Sequence, residues 1–413
     1  MELRRSNLLR DNKSILFIVF ACISLYQFAW LIYVPNIPVM AKSLQVNEET
    51  IRNSIILYML GIAISQLFYG PLSDICGRKK LLLIGICIFF LATFEVLVGK
   101  SITSLLIGRL IQGLGAGSLC VIGKAIINDI FSNNVLIKAN SIIASSTTIS
   151  PILSQCIGGY VGEYISWKFN FIILLFYSII VFIMSYYCLP NIDIKRNSHN
   201  IRVYFKNNYF KLFKMKDFYI HIFLFSTILL AELLFQLIAP FEMQSRYHYF
   251  QHNYVLVVLL SELGILIGSS LVVKFCNKFL MHESIMFGFV FLGIASFLIF
   301  LQSYFYLFDI LLYLSILIYF TSIGFLLPYI ISGSMNILNN CSGAINSLMG
   351  GAQMLGVSFL GLVITFVGVN SFVEVSMIML FMCVLCFHLA KRRAELPLAK
   401  GAVSAGGADR CGD

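Results

Sequence analysis

Two glutamates, Glu232 and Glu262, lie inside long apolar runs, where an ionised side chain is costly. Two residues on neighbouring antiparallel helices are level, that is, at the same depth in the membrane, when the midpoint of their sequence positions falls in the connecting turn. The midpoint of this pair is position 247, inside the polar break at 242–252. Two carboxyls at one depth cannot both ionise cheaply, so we expect a proton-binding site or a receptor for a cationic substrate. The alternative is that one carboxyl faces lipid headgroups or pairs with Arg246.

A second level pair consists of Glu95 and Arg109, whose midpoint, position 102, falls in the break at 98–104. Opposite charges at one depth predict a buried ion pair. Such a pair is a satisfied structural arrangement as often as it is part of a mechanism. We therefore expect an ion pair whose role is structural.

Aromatic and amide side chains within the apolar runs could bind a substrate. Tyr26, Trp30 and Tyr33 share the spacing of one helix face and could stack on an aromatic or cationic compound, or could pack against neighbouring helices. Three glutamines could hydrogen-bond a substrate or join helices to each other. These are Gln112, Gln155 and Gln353.

Metal and catalytic sites have little support in the sequence. His248 and His252 are four residues apart but lie in a polar break, which favours a solvated loop. Cys383 and Cys386 form a CxxC pair within an apolar run, where a redox or metal role is not expected. No phosphate-binding glycine loop with Lys and Ser or Thr is present. We expect no enzymatic activity, no cofactor and no metal.

These residues must be positioned by membrane-spanning helices. Of the 413 residues, 59% are hydrophobic and 12% are charged, whereas soluble domains carry about 25% charged residues. Lipid is therefore the expected surrounding, and a bilayer is the expected partner. The net charge of +10 does not indicate nucleic-acid binding, because the cations fall in short breaks between apolar runs.

Twelve apolar segments predict an all-α polytopic membrane protein. They are 14–34, 52–71, 80–98, 104–127, 139–161, 169–189, 218–241, 253–274, 284–301, 306–331, 343–368 and 371–390. The longest break separates six segments from six, which indicates two six-helix bundles in a parallel repeat, as in transporters. The predicted divisions are an N-terminal bundle at 1–190, a basic cytoplasmic linker at 191–216, a C-terminal bundle at 217–392 and a disordered tail at 393–413.

Lys and Arg are unequally distributed between alternate breaks, which sets the expected orientation. The first apolar segment, near Ser14, is too long for a signal-peptide core and is read as a retained helix. One side receives the basic N-terminus, the charged loop around Arg78, the linker and the final KRR at 391–393. We expect that side, with both termini, to be cytoplasmic. In a bacterium the membrane would be the inner one.

The segment GPLSDICGRKK, at 70–80, is a charged loop between two apolar runs. It resembles the signature loop of the major facilitator superfamily, G-x-L-x-D-x-x-G-R-K-x-x-L. RLIQGLGAG, at 109–117, is similar to the fourth-helix motif of that superfamily, and ISPILSQCIGGYVGEYISWKFNF, at 149–171, to the fifth-helix motif of its bicyclomycin-resistance (Bcr/CflA-type) drug:proton antiporters. APF, at 239–241, and the segment at 324–356 extend the resemblance into the second half, so that it covers about 33–353.

The resemblance implies that the charged loop acts as a gate, in addition to holding the cations that set the membrane orientation. Asp74 and Arg78 would pair with each other and with Asp129, with Gly70 and Gly77 allowing close approach and a tight reversal. Charge-assisted bonds at the cytoplasmic interface would stabilise the outward-open state and break when the inside opens.

The sequence departs from its relatives at one position of the first helix. They usually carry an acidic residue there for proton coupling, whereas LIYVPNIP places Leu31 at that position. Gln155 also stands where the relatives tend to have a second proline. We expect Glu232 first, and Glu262 second, to take over proton coupling.

The expected function is proton-coupled export of small amphipathic compounds by alternating access, by a monomer whose partners are a small-molecule substrate, protons and the bilayer. One alternative is a dedicated transporter, exporting or importing one metabolite such as a siderophore or an amino-acid derivative. A second is a membrane receptor without flux.

Overall fold

Twelve long helices form the described part of the fold. The computed structural model describes residues 2–190, 216–245, 254–275, 279–305, 309–337 and 343–395, and these ranges contain no strand. The long helices are α1 (Glu2–Leu31), α2 (Glu48–Cys76), α3 (Arg78–Val98), α4 (Ile102–Ile130), α5 (Asn133–Tyr164), α6 (Trp167–Cys188), α7 (Lys216–Ser245), α8 (Tyr254–Phe275), α9 (Met281–Phe305), α10 (Asp309–Ile337), α11 (Gly343–Val367) and α12 (Phe372–Glu395). A 3₁₀ turn (Val34–Asn36) and a short helix (Ile37–Leu44) connect α1 to α2.

Eleven segments in the described ranges are long and apolar enough to cross a membrane. The remaining long helix, α5, has 32 residues but carries many hydroxyl and amide side chains. Its predicted span, 139–161, lies within the observed helix. The low apolarity of α5 is consistent with its position, because part of this helix lines the central cavity through Thr147, Thr148 and Pro151.

The helices pack as two bundles with matching internal contacts. The closest pairs are α2 with α4 in the first bundle and α8 with α10 in the second, which occupy equivalent positions in the two halves. The bundles meet mainly where α2 packs on α11, with a smaller contact between α5 and α8. This arrangement leaves space between the bundles for a central cavity.

Close backbone approach within each bundle depends on glycine. A β-carbon on Gly113 of α4 would overlap the carbonyl oxygen of Tyr58 on α2, and one on Gly268 of α8 would overlap the carbonyl oxygen of Thr321 on α10. Small residues at helix contacts let backbones approach closely in membranes, where packing replaces the hydrophobic effect as the source of association. The two glycines therefore set the distance between the helices that frame the cavity.

Two predicted segments lie largely outside the described residues. The linker prediction concerns 191–215, because α7 begins at Lys216. The tail prediction concerns 396–413, because α12 continues to Glu395 and takes up the first three residues of that segment. The alternative partner Arg246 and the histidine pair at 248 and 252 also lie outside the described ranges.

Substituting alanine at Gly113 tests the close packing of α2 on α4. The added methyl group meets backbone atoms that cannot rotate away, so Gly113→Ala should lower the free energy of unfolding by about 1–3 kcal/mol. The matched control is Gly293→Ala in α9, where the nearest atom to the new carbon would be Cys383 Cβ at 3.8 Å. Thermal unfolding of the purified protein in detergent measures both. Equal stability of the two variants would contradict the packing argument.

Candidate functional site

A cavity of about 850 Å³ lies between the two bundles. Residues of α1, α2, α4 and α5, with Arg78 at the start of α3, line one side, and residues of α7, α8, α10 and α11 line the other. Its volume falls within the range of about 300–1,000 Å³ that small-molecule sites occupy. The interface between repeats is also where transporters of this architecture bind their substrates.

The two ends of the cavity differ. At the end where α1 begins and α12 finishes, called here the Arg78 end, the lining continues to Gly70, Asp74, Arg78 and Asp129. At the opposite end, called the Arg52 end, no residue beyond Leu31 of α1 and Glu232 of α7 lines the cavity within the described ranges. As far as the described residues show, the cavity therefore extends toward the Arg78 end.

Glu232 and Glu262 both line this cavity, on α7 and α8 of the second bundle. Gln236, one turn along α7, donates a hydrogen bond from Nε2 to Glu232 Oε1 at 3.1 Å. Among the described residues, no Lys, Arg or His nitrogen lies within 4.0 Å of either carboxylate. Glu262 is only 7% exposed. Two carboxyls without a cationic partner thus share one partly enclosed space.

Three of the six residues predicted to bind substrate reach the cavity, namely Tyr26, Trp30 and Gln353. Tyr33 does not line it, so that prediction is corrected. Helix α1 ends at Leu31, and Tyr33 precedes the 3₁₀ turn, which removes it from the face shared by Tyr26 and Trp30. Its hydroxyl hydrogen-bonds to Ser54 Oγ at 3.1 Å inside the first bundle.

Gln112 and Gln155 also lie outside the cavity lining, which corrects their predicted substrate contacts. Gln112 is fully buried, donates from Nε2 to Thr93 Oγ1 at 2.8 Å and accepts a hydrogen bond from Arg109. Gln155 is 3% exposed on α5. The Gln112 amide therefore joins helices, which was the alternative interpretation of the glutamines.

The predicted ion pair between Glu95 and Arg109 is not formed. Arg109 is fully buried, with its guanidinium carbon 4.5 Å from the ring centre of Tyr33 and 4.1 Å from that of Tyr58. It also donates to the Ala29 carbonyl oxygen at 2.9 Å. Glu95 is only half-buried and accepts from Ser104 Oγ at 2.8 Å. The residues can be level, but helix rotation directs their side chains to different neighbours.

Arg78 makes both contacts expected of the charged loop at 70–80. Its Nη2 lies 2.6 Å from Asp74 Oδ1, and its Nε donates to Asp129 Oδ2 at 3.0 Å. All three residues belong to the first bundle, so these pairs join the ends of α2, α3 and α4 and do not cross between bundles. They are intact in this conformation, in which the cavity lining extends to these residues.

The reversal between α2 and α3 depends on Gly77, whose φ of +94° lies in the region that favours glycine. Because one residue completes the turn, Arg78 starts α3 directly beside the last turn of α2. Gly70, seven residues earlier, lies in α2 and lines the cavity.

Arg52 is an interbundle contact that the sequence interpretation missed. Its side chain is 2% exposed and donates from Nη1 to the Val369 carbonyl oxygen at 2.9 Å and to Asn370 Oδ1 at 2.6 Å, in the connection between α11 and α12. Nη2 bonds to Glu48 Oε2 at 2.9 Å within α2. The guanidinium carbon also lies 4.6 Å from the ring centre of Phe241 on α7. The four-residue spacing of Glu48 and Arg52 could have predicted their ion pair. The partners of Arg52 in the second bundle are over 300 positions away in the sequence, so no local pattern could have predicted those contacts.

Three comparisons place these features among known proteins. The family model described as Major Facilitator Superfamily matches residues 19–361. Multidrug resistance protein D of Escherichia coli (strain K12) is 34% identical over 164 residues, which are 40% of this chain and 42% of that protein. A bicyclomycin resistance protein homolog of Haemophilus influenzae is 26% identical over 186 residues, or 45% of this chain and 47% of that protein. These matches thus span less than half the length of either relative.

A solved structure shows the same fold over nearly the whole chain. The crystal structure of a D-xylose–proton symporter superposes with a TM-score of 0.75 at 15% identity, covering 91% of this chain and 96% of that one. The predicted fold of two six-helix bundles is confirmed, as is the resemblance to the bicyclomycin-resistance group. The protein is a multi-pass integral membrane protein of a transporter type, not an enzyme. Its twelve helices and the match to most of its length show that the chain belongs to the Major Facilitator Superfamily.

Proposed function

We propose that this chain is a secondary active transporter that exports small amphipathic compounds in exchange for protons. The observation that carries the proposal is the presence of Glu232 and Glu262 in one cavity between two bundles. The names of the relatives, a multidrug resistance protein and a bicyclomycin resistance protein homolog, support the substrate class. The position of the cavity at the repeat interface supports alternating access.

The carboxyls supply the coupling in this proposal. An ionised carboxylate without a cationic partner is costly away from water, and two in one space also repel each other. A proton or a cationic substrate relieves that cost, and the two would compete for the same groups. Binding of substrate would therefore release a proton, and protonation would release substrate. Glu232 is the first candidate, with Gln236 orienting it, and Glu262 is the second.

Opening and closing of the two ends supplies the transport cycle. The conformation described here has the Arg52 end closed by bonds between bundles and the cavity extended to the Arg78 end. We propose that the Arg78 end and both termini are cytoplasmic, so that this is an inward-facing state. The cluster of Asp74, Arg78 and Asp129 would act as a gate by meeting the second bundle when that end closes. The unit is proposed to be a monomer in the cytoplasmic membrane.

Leu31 favours one alternative within the same mechanism. This side chain lines the cavity at the position where relatives usually carry an acid, so the cavity wall formed by α1 is less polar than in those proteins. Such a change fits a transporter dedicated to one metabolite. A chemically varied substrate panel separates that candidate from a broad exporter.

Neutral isosteres at the carboxyls test the coupling. In proteoliposomes with an imposed pH gradient and a panel of amphipathic dyes, Glu232→Gln and Glu262→Gln should each lower gradient-driven transport at least about tenfold, equivalent to ~1.4 kcal/mol. Exchange of a labelled cationic dye at equal pH should fall as well, because glutamine resembles the protonated side chain, which releases substrate, whereas exchange of an uncharged dye should persist because it needs no carboxylate. Glu95→Gln, outside the cavity lining, is the control and should transport normally. Full gradient-driven activity of both cavity variants would refute the proposal.

Loss of the Arg52 side chain should open the closed end. Hydrogen bonds to charged groups contribute about 1.5–3 kcal/mol, so Arg52→Gln should shift the equilibrium toward the outward-open state by about tenfold or more. Distances between spin labels at Lys42 and Val367, both exposed on opposite bundles at this end, would report the change.

The matched control is Lys168→Gln, which removes an exposed cation of the first bundle at the same end. Its distance distribution should equal that of the unsubstituted protein. A distribution for Arg52→Gln that also stays unchanged would show that the bond between bundles does not hold this end closed.

A further inference from the structure

Lys124 is a charged cavity residue that the proposed mechanism does not use. It lies on α4, lines the cavity and is exposed there. Cys120 and Asn128, one turn before and one turn after it, line the same cavity, so the ammonium belongs to a continuous face of α4. Among the described residues no carboxylate lies within 4.0 Å of its amine.

The other charges of the first bundle in this cavity are already paired. Arg78 holds Asp74 and Asp129, as described above. Lys124 is thus the one lining charge of the described first-bundle residues without an ion-pair partner. Thr147 and Thr148 of α5, together with Asn128, add polar groups to this wall. Such a wall presents hydrogen-bond donors and one positive charge to the cavity.

The wall formed by the second bundle has the opposite charge, since Glu232 and Glu262 are its lining ionisable residues. Lys124 lies six residues before the end of α4 at Ile130, and Glu262 lies thirteen residues before the end of α8 at Phe275. Both helices run toward the Arg78 end, and Lys124 lies nearer to that end of its helix than Glu262 does. The cavity thus has a positive site nearer the Arg78 end and a negative site deeper inside.

We propose that Lys124 determines substrate specificity and that the cavity selects amphoteric organic molecules, with an anionic group bound by Lys124 and a cationic group bound by Glu232 and Glu262. This inference rests on the proposed function and adds the substrate class. A substrate of this kind carries its two charges on opposite ends of an apolar body, which Tyr26 and Trp30 contact. A cationic compound without an anionic group would leave the Lys124 ammonium uncompensated beside it, at a cost in affinity.

A matched pair of ligands tests the proposal, namely a xanthene dye as its zwitterionic free acid and as its cationic methyl ester. Fluorescence polarisation with the full chain in lipid nanodiscs measures the affinity for each. The free acid should bind about tenfold tighter than the ester, as expected for one hydrogen bond to a charged group. Lys124→Met should remove that preference by weakening acid binding, while ester binding stays within about twofold or improves. Lys124→Arg should retain the preference, because it keeps the positive charge.

Lys138→Met is the control, because Lys138 is exposed on α5 and does not line the cavity. Its preference should equal that of the unsubstituted protein. Equal affinity for both dyes, binding of neither dye, or an equal loss of both in Lys124→Met would overturn the proposal. In the last case Lys124 would serve only packing or membrane orientation.

Failure of the proposed function gives a different result. If the free acid binds preferentially but a pH gradient drives no transport in proteoliposomes, the specificity inference stands and proton-coupled export does not.

Discussion

The cost of an unpaired charge away from water governs how polar groups are distributed in this protein. Arg109, fully buried in the first bundle, is compensated by two tyrosine rings, a backbone carbonyl and Gln112. Arg52 is compensated by groups from both bundles. Among the described residues, Lys124, Glu232 and Glu262 have no ion-pair partner within 4.0 Å and line the central cavity, where water or a ligand can reach them. These unpaired charges are what allow the cavity to bind a proton or a charged ligand.

The two ends of the molecule use arginine differently. At the Arg78 end the guanidinium bonds to carboxylates of its own bundle, so the contact can persist while the bundles separate. At the Arg52 end the guanidinium bonds to a carbonyl and an amide of the other bundle, so the contact exists only while that end is closed. A planar guanidinium can serve several such acceptors at once, which suits it to both positions. The asymmetry matches a cavity that extends in one direction.

Rigid framing of the cavity comes from backbone contacts repeated in both halves. Gly113 in α4 and Gly268 in α8 let carbonyl groups of neighbouring helices approach where a side chain would not fit. Because each bundle is held by such close contacts, relative motion is expected to occur at the interface between bundles. The α2–α11 and α5–α8 contacts are therefore the surfaces over which the bundles can rock.

The sequence alone was sufficient for features that depend on local composition and spacing. Apolar runs of spanning length predicted twelve helices, and the four-residue spacing of Asp74 and Arg78 predicted their contact. The contact of Arg78 with Asp129 was expected only from the resemblance of the segment at 70–80 to the superfamily's signature loop. Helical rise predicted that Glu232 and Glu262 would be level, and this stays a prediction, although both line one cavity. The helix and turn predictions succeeded because helix length and turn chemistry are properties of a short segment.

Only the tertiary structure decided which side chains meet. The predicted ion pair of Glu95 and Arg109 is not formed, because helical rise gives depth while the rotation of each helix in its bundle gives the direction of a side chain. Tyr33 does not share the cavity-lining face of Tyr26 and Trp30, because α1 ends two residues before it. Arg52 contacts the second bundle through partners far away in the sequence. Lys124 lines a cavity that is formed by helices from both halves of the chain. Contacts between bundles depend on how twelve helices pack, and no local pattern encodes them.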